Sequence, residues 1–141
     1  MKFSEYKIGQ RYETESIKLS KQDIIDFAKV YDPQYMHIDE EKAKEGRFGN
    51  LIASGMQTMS TSFKLWVEEG IYGEEVVAGT GMNNVKFIKP VFPDDELRVI
   101  AEVIETVPKR RGNGIVTIQL NTYNQDEVKV FQAELSALIN D

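Results

Sequence analysis

The sequence predicts an α+β domain in which a mainly antiparallel sheet wraps around one long helix. Residues 56–69 place Met56, Met59, Phe63, Trp66 and Val67 at helical spacing. In the second half of the chain the apolar period drops to two, and the apolar runs follow one another through short turns, which favours antiparallel pairing. No Pro/Gly/Ser linker, internal repeat or low-complexity tract interrupts the 141 residues, so 1–141 reads as one domain with a respectable core.

Each element has a local reason. Residues 11–19 read as a first strand. Ser20 followed by Asp23 reads as a capping box, which starts a helix with Ile24, Ile25, Phe27, Ala28 and Tyr31 as its apolar stripe. Pro33 disfavours helical geometry at Asp32 and ends that helix. Asp39 suits the cap of a short helix through Ala43 and Lys44. Residues 49–55 are irregular, and Gly70 stops the long helix, whose apolar stripe is expected to be core. A strand covers about 76–88. Leu97, Val99, Ala101 and Val103 alternate with polar or outward positions, as do Val116, Ile118 and Leu120, and then Phe131, Ala133, Leu135, Ala137 and Ile139. Pro93-Asp94-Asp95, Gly112-Asn113-Gly114 and Asn124-Gln125-Asp126 supply the turns.

Composition narrows the chemistry. The formal charge of −6 argues against non-specific nucleic-acid binding. The absence of cysteine removes disulfides, thiolate nucleophiles and cysteine–metal sites, and a single histidine removes a His-rich metal site. There is no apolar signal core after Met1 and no run long enough to span a membrane, so the expected location is the cytoplasm.

That single histidine, His37, stands five positions after Asp32 in Tyr31-Asp32-Pro33-Gln34-Tyr35-Met36-His37. A carboxylate and an imidazole at this spacing suit an acid–base pair that holds one water and moves its protons. An Asp at a helix C-terminus faces the negative end of the dipole, and burial acts in the same direction, so the carboxyl is expected to titrate above its ordinary value.

The segments Phe27-Ala28, Asp32 to His37, Phe48-Gly49, Ile52-Ala53-Ser54-Gly55 and Val85-Lys86-Phe87 to Pro90-Val91 together resemble the MaoC-like dehydratases, which include the (R)-specific enoyl-CoA hydratases. The resemblance covers nearly the whole chain. The family pattern is Asp-x-Asn-Pro-x-His; here Gln34 replaces the Asn, Tyr35 stands at the Pro position, and the proline is next to Asp32. The resemblance implies a hot-dog fold and an activity that interconverts a 2-enoyl thioester and a 3-hydroxyacyl thioester. It implies Asp32 and His37 as the catalytic pair, and Gly55 as the backbone-amide donor to the thioester oxygen at a helix N-terminus. Without a side chain, Gly55 lets a thioester approach the backbone.

Ser54 is the expected helix cap, and Ser54, Gln34, Lys86 and Lys89 are candidate substrate contacts. Ser60 and Ser62 do not align with the serine that some hydratases place against the catalytic carboxylate. Lys109, Arg110 and Arg111 are further cations, read first as a solvated hairpin tip. The acyl pocket is expected to draw on parts of 64–84. No metal or redox cofactor is implied, and CoA enters only as part of the substrate. The implied partners are the acyl thioester and further copies of the chain, as a homodimer or higher homo-oligomer, with no nucleic acid and no membrane.

Two other functions stay open. One is a hot-dog thioesterase, which commonly carries an Asp or Glu early on the central helix; here that stretch has no carboxylate before Glu68. The other is a non-catalytic module that binds an acyl thioester.

Overall fold

The computed structural model describes residues 1–141. The strands are β1 (Arg11–Glu13), β2 (Ile17–Lys18), β3 (Val76–Phe87), β4 (Glu96–Pro108), β5 (Gly114–Tyr123) and β6 (Lys129–Ile139). The helices are α1 (Lys21–Tyr31), α2 (Tyr35–Ile38), α3 (Glu40–Lys44) and α4 (Gly55–Glu68). All strand pairs are antiparallel, in the order β1-β4-β5-β6-β3, with β2 also on β4. The alternation read from the sequence decides which side of the sheet is core. Leu97, Val99, Ala101, Val103, Val116, Ile118, Leu120, Phe131, Ala133, Ala137 and Ile139 are almost completely buried and pack with Trp66, Leu65 and Leu51. No helix is long and apolar enough to cross a membrane.

The local signals hold at most boundaries. Ser20 Oγ accepts the Asp23 amide at 3.0 Å while Asp23 Oδ2 accepts the Ser20 amide at 3.1 Å, which closes the capping box. Asp39 Oδ1 accepts the Lys42 amide at 3.1 Å and caps α3. Gly70 adopts φ +78° after α4, a conformation that few other residues tolerate.

Two expectations change, and one short helix was not read from the sequence. The single strand over 11–19 is two short strands on β4, with Tyr12 opposite Ala101 and Ile17 opposite Leu97. Thr14 divides them: its Oγ1 accepts the Val99 amide at 2.9 Å, in place of a backbone carbonyl. The turn that carries His37 is helical, because Pro33 ends α1 but leaves the chain free to start α2 at Tyr35.

The second change concerns the apolar stripe of α4. Of the five residues expected in the core, only Trp66 is buried; Met59 is half-buried, and Met56, Phe63 and Val67 are 49%, 45% and 42% exposed. The face against the sheet is instead Gln57, Thr58, Thr61, Ser62, Leu65 and Trp66. Of these smaller polar side chains, Ser62 is held twice inside the chain: its Oγ lies 2.7 Å from Thr58 O and 2.6 Å from Thr122 Oγ1.

Candidate active site

Asp32 is the C-terminal cap of α1, with its amide bonded to Ala28 O at 2.8 Å. The chain then reverses through Pro33, the Gln34 amide bonds Asp32 O at 2.8 Å, and α2 carries His37 back beside the carboxylate. A third segment joins them. Ile52 N bonds Met36 O at 3.1 Å and Ala53 N bonds Val91 O at 2.8 Å, which brings Ser54 and the start of α4 against the pair.

His37 is 6% exposed, and its Nε2 lies 3.3 Å from Asp32 Oδ2. Its Nδ1 lies 2.7 Å from the carbonyl of Ile52. A carbonyl only accepts, so Nδ1 carries a proton and donates it there. Nε2 is therefore the nitrogen that exchanges a proton with the cleft.

Asp32 has two further donors: Ser54 Oγ to Oδ2 at 2.6 Å and Gln34 Nε2 to Oδ1 at 2.6 Å. The Ser54 hydrogen bond is the largest influence on this carboxyl and, with Gln34 and the nearby His37, holds it below the usual carboxylate value against the opposing effect of burial. This reverses the sequence expectation that burial and the helix dipole raise it. The donors face the ionised form directly, whereas the dipole acts diffusely at a helix end.

Ser54 is completely buried and does two jobs, since its Oγ also accepts the Met56 amide at 3.2 Å as the N-cap of α4. Ser54 and Gln34, expected as substrate contacts, both line the cleft and both donate to the Asp32 carboxylate. Ser62 is committed to Thr122, away from this cleft. An N-cap serine is visible in sequence, but its second bond joins residues 22 positions apart and depends on tertiary packing.

The Gly55 amide takes no hydrogen bond within the chain, as expected of a free donor at a helix start. Its missing side chain has a cause that sequence reasoning did not find. A Cβ there would lie 2.7 Å from the ring of Phe87, so the space kept open by Gly55 is taken by that ring.

Asp32, His37, Ser54, Gly55, Phe87 and Lys89 share one cleft of about 580 Å³, in which Asp32 is the only carboxylate. Arg47 and Phe48 also line it and were missed; the Phe48-Gly49 motif was noted, but nothing local shows that the loop folds over the site. Lys86 is not among the lining residues: it lies on β3 opposite Gln132. Burial, and then the nearby Lys86 charge, lower the pKa of Lys129. The Lys109–Arg111 tip lies at the opposite end of the sheet, where Pro108, Gly114, Ile139 and Val76 are in register, while the cleft lies at the Phe87–Phe131 end.

Comparison with known proteins places the chain in a family. A family model described as MaoC like domain matches residues 3–124. The chain is 60% identical over 139 residues to "Uncharacterized protein YdeM" of Bacillus subtilis (strain 168), covering 99% of each chain. The structure of a MaoC-like dehydratase from Rhodospirillum rubrum matches with a TM-score of 0.91 at 30% identity, covering 99% of this chain and 97% of that one. R-hydratase PhaJ1 from Pseudomonas aeruginosa matches with a TM-score of 0.77 at 26% identity, covering 99% and 86%. The fold is thus the hot-dog arrangement expected from the sequence, and the chain belongs to the MaoC-like domain family, whose structural neighbours are hydratases and dehydratases.

Proposed function

We propose that the protein interconverts a 2-enoyl thioester, carried on CoA, and an (R)-3-hydroxyacyl thioester by Asp32/His37 acid–base catalysis. The observation that carries this reading is the pair itself: Oδ2 and Nε2 3.3 Å apart, beside the unpaired Gly55 amide in one cleft.

In hydration, the Asp32 carboxylate takes one proton from a water while the water oxygen bonds to the β-carbon. The electron pair of the double bond moves toward the thioester, and negative charge grows on its oxygen. The Gly55 N–H donates to that oxygen. In this step His37 acts as the doubly protonated ring: it gives its Nε2 proton to the α-carbon and is left neutral with Nδ1–H on Ile52 O. Asp32 then returns the proton it took to His37, and the pair is reset. The Nδ1–H bond to Ile52 O holds the ring in the one orientation that allows this. A thioesterase reading lacks a second carboxylate in this cleft.

The reading includes a homodimer. β3 is an edge strand with eleven of its twelve residues exposed, Lys86 as its only charge, and Val77, Met82, Val85 and Phe87 each 38–56% exposed. A long apolar edge of this kind pairs with another strand unless charges protect it. Two-fold pairing of β3 with a second β3 is isologous.

The test is hydration of crotonyl-CoA, followed by loss of the enoyl-thioester absorbance, for wild type beside Asp32→Asn and His37→Ala. Turnover that collapses in both variants supports the reading. Absence of wild-type turnover on crotonyl, longer and branched enoyl-CoAs, with binding retained, favours a non-catalytic module.

A further inference from the structure

Ser54, the cap of α4, is followed at intervals of four by Thr58 and Ser62, so the three hydroxyls share one ridge along the inward face of the helix. The outer two are engaged within the chain: Ser54 Oγ donates to Asp32 Oδ2 at 2.6 Å, and Ser62 Oγ lies 2.6 Å from Thr122 Oγ1. Thr58 is held by its backbone alone, its amide on Ser54 O at 3.1 Å and its carbonyl accepting from Ser62 Oγ at 2.7 Å, and its hydroxyl has no partner in the chain. The unpaired side-chain atoms that are sealed inside the protein are Gln57 Oε1, Trp66 Nε1 and Asn113 Oδ1, so the Thr58 hydroxyl is unpaired yet reachable. The space that reaches it is the catalytic cleft, which Thr58 lines together with Gly55.

The cleft has a buried end and an exposed rim. Thr58 is 4% exposed and shares the buried end with Val91 and Val130, whereas Arg47, Phe48, Met56 and Lys89 are exposed along the rim. A carrier that leaves for solvent crosses that rim. A thioester with its oxygen on the Gly55 amide then directs its acyl group to the Thr58 end. Thr58 follows Gly55 by three residues on the same helix face, a rise of about 4.5 Å, which is about the reach from a thioester carbon to the atom attached to the fourth carbon of the chain.

An acyl group that fills this end strips water from the Thr58 hydroxyl. A plain alkyl chain leaves the hydroxyl buried and unpaired, which costs free energy, whereas an oxygen placed there accepts a hydrogen bond from it. We propose that Thr58 selects acyl thioesters that carry a neutral oxygen, as a hydroxyl or an ether, on the fourth carbon. The oxygen is neutral because Arg47 and Lys89, the permanent cations of the cleft, are on its rim, and a second anion at the buried end would lack a partner. The reaction rests on the hydratase reading; the contact at Thr58 does not.

Wild type, Thr58→Val and Thr58→Ser are compared on trans-4-methoxy-2-butenoyl-CoA and trans-2-hexenoyl-CoA, which differ by one oxygen in place of one methylene. The ratio of kcat/KM for the ether over the alkyl substrate is expected to fall by about ten-fold or more in Thr58→Val and to be kept in Thr58→Ser. The ratio in Thr58→Val records the intrinsic reactivity of the two substrates, so only the change from wild type reports the hydroxyl. A ratio within about two-fold of wild type in Thr58→Val overturns the proposal. So does an equal fall in Thr58→Ser, which assigns the effect to the shape of the side chain. Because the hydroxyl has no partner in the free protein, Thr58→Val is expected to keep or raise the urea midpoint; a loss of folding would reveal an internal partner and also overturn it.

Saturated 4-methoxybutyryl-CoA and hexanoyl-CoA, which cannot be hydrated, separate the contact from the chemistry. Calorimetric titration is expected to show wild type binding the ether more tightly than the alkyl thioester by about five-fold or more, with the preference lost in Thr58→Val. That result supports the contact even when wild type hydrates neither enoyl-CoA and the hydratase reading falls. The same preference in wild type and Thr58→Val, or none in wild type, overturns the proposal.

Discussion

The inward face of α4 presents Gln57, Thr58, Thr61 and Ser62 to the rest of the chain, whereas its outward face presents Met56, Phe63 and Val67 at 42–49% exposure. Part of the polar face is paired within the protomer: Ser62 bonds Thr58 and Thr122, and Gln57 Nε2 bonds Asp23 O at 3.2 Å, while Gln57 Oε1 is buried without a partner. The apolar face is left open beside an edge strand of the same character and a cavity. An amphipathic helix normally buries its apolar stripe. Here small polar side chains face the rest of the chain, and the apolar stripe is left exposed. The N-terminus of α4, where Ser54 and Gly55 meet Asp32, belongs to the polar system and contains the proposed chemistry.

The sharpest test of the polar system is Asp32→Asn, which is expected to lower kcat/KM on crotonyl-CoA by about 10³-fold or more with the circular dichroism spectrum unchanged, since it removes the base but keeps the shape. Next in size is Trp66→Ala. Trp66 is fully buried against Tyr12 and Tyr72, with ring centroids 5.8 and 5.3 Å away, and its truncation should cost about 3–5 kcal/mol in urea unfolding.

Phe63→Glu then breaks or keeps the comparison directly. Phe63 stands only three positions from Trp66 in the same sequence stripe, yet its replacement should leave the helical signal intact and reduce the light-scattering mass from that of a dimer to 16.1 kDa. Unfolding of this variant would instead make the outward stripe part of the core.

Ser54→Ala joins the two systems at their boundary. It removes a charge-assisted hydrogen bond from Asp32 and should lower kcat/KM by about ten-fold. The pH profile carries the sign. The active form of Asp32 is the carboxylate, and its pKa in the folded protein is below its ordinary value, so wild-type activity is retained above that lowered pKa and lost as pH falls through it. Removing the largest cause of the lowering moves this acid limb to higher pH. A limb that stays in place would mean that Ser54 only caps the helix.

The smallest effect is expected for Ser62→Ala, about 1–2 kcal/mol, because Thr122 is left buried without its partner.

Much of the site was legible because its signals are local. A carboxylate and an imidazole five positions apart need only the turn at Pro33 and one helical turn to meet, and the glycine at the helix start needs only a free amide. The holders of Asp32 were legible only in part. Gln34 is two residues away and Ser54 is a recognisable cap, but the geometry that points both at the carboxylate comes from bonds between Ile52 and Met36 and between Ala53 and Val91. Arg47, Phe48 and Phe87 reach the cleft through loop and strand placement, for which no spacing rule exists.

By itself the sequence determined the element order, the alternating core of β4, β5 and β6, the caps at Ser20 and Asp39, and the Asp32–His37 pair. These follow from backbone geometry with fixed periods and from hydrogen bonds between residues a few positions apart. Only the tertiary structure decided that Asp32 is held below its ordinary pKa, that Phe87 lies on Gly55, and which face of α4 turns inward. Periodicity groups residues onto a common face but carries no information on what that face meets. That depends on the shape of the sheet, whose Thr122 hydroxyl receives Ser62, while the strand beside the apolar stripe leaves a cavity.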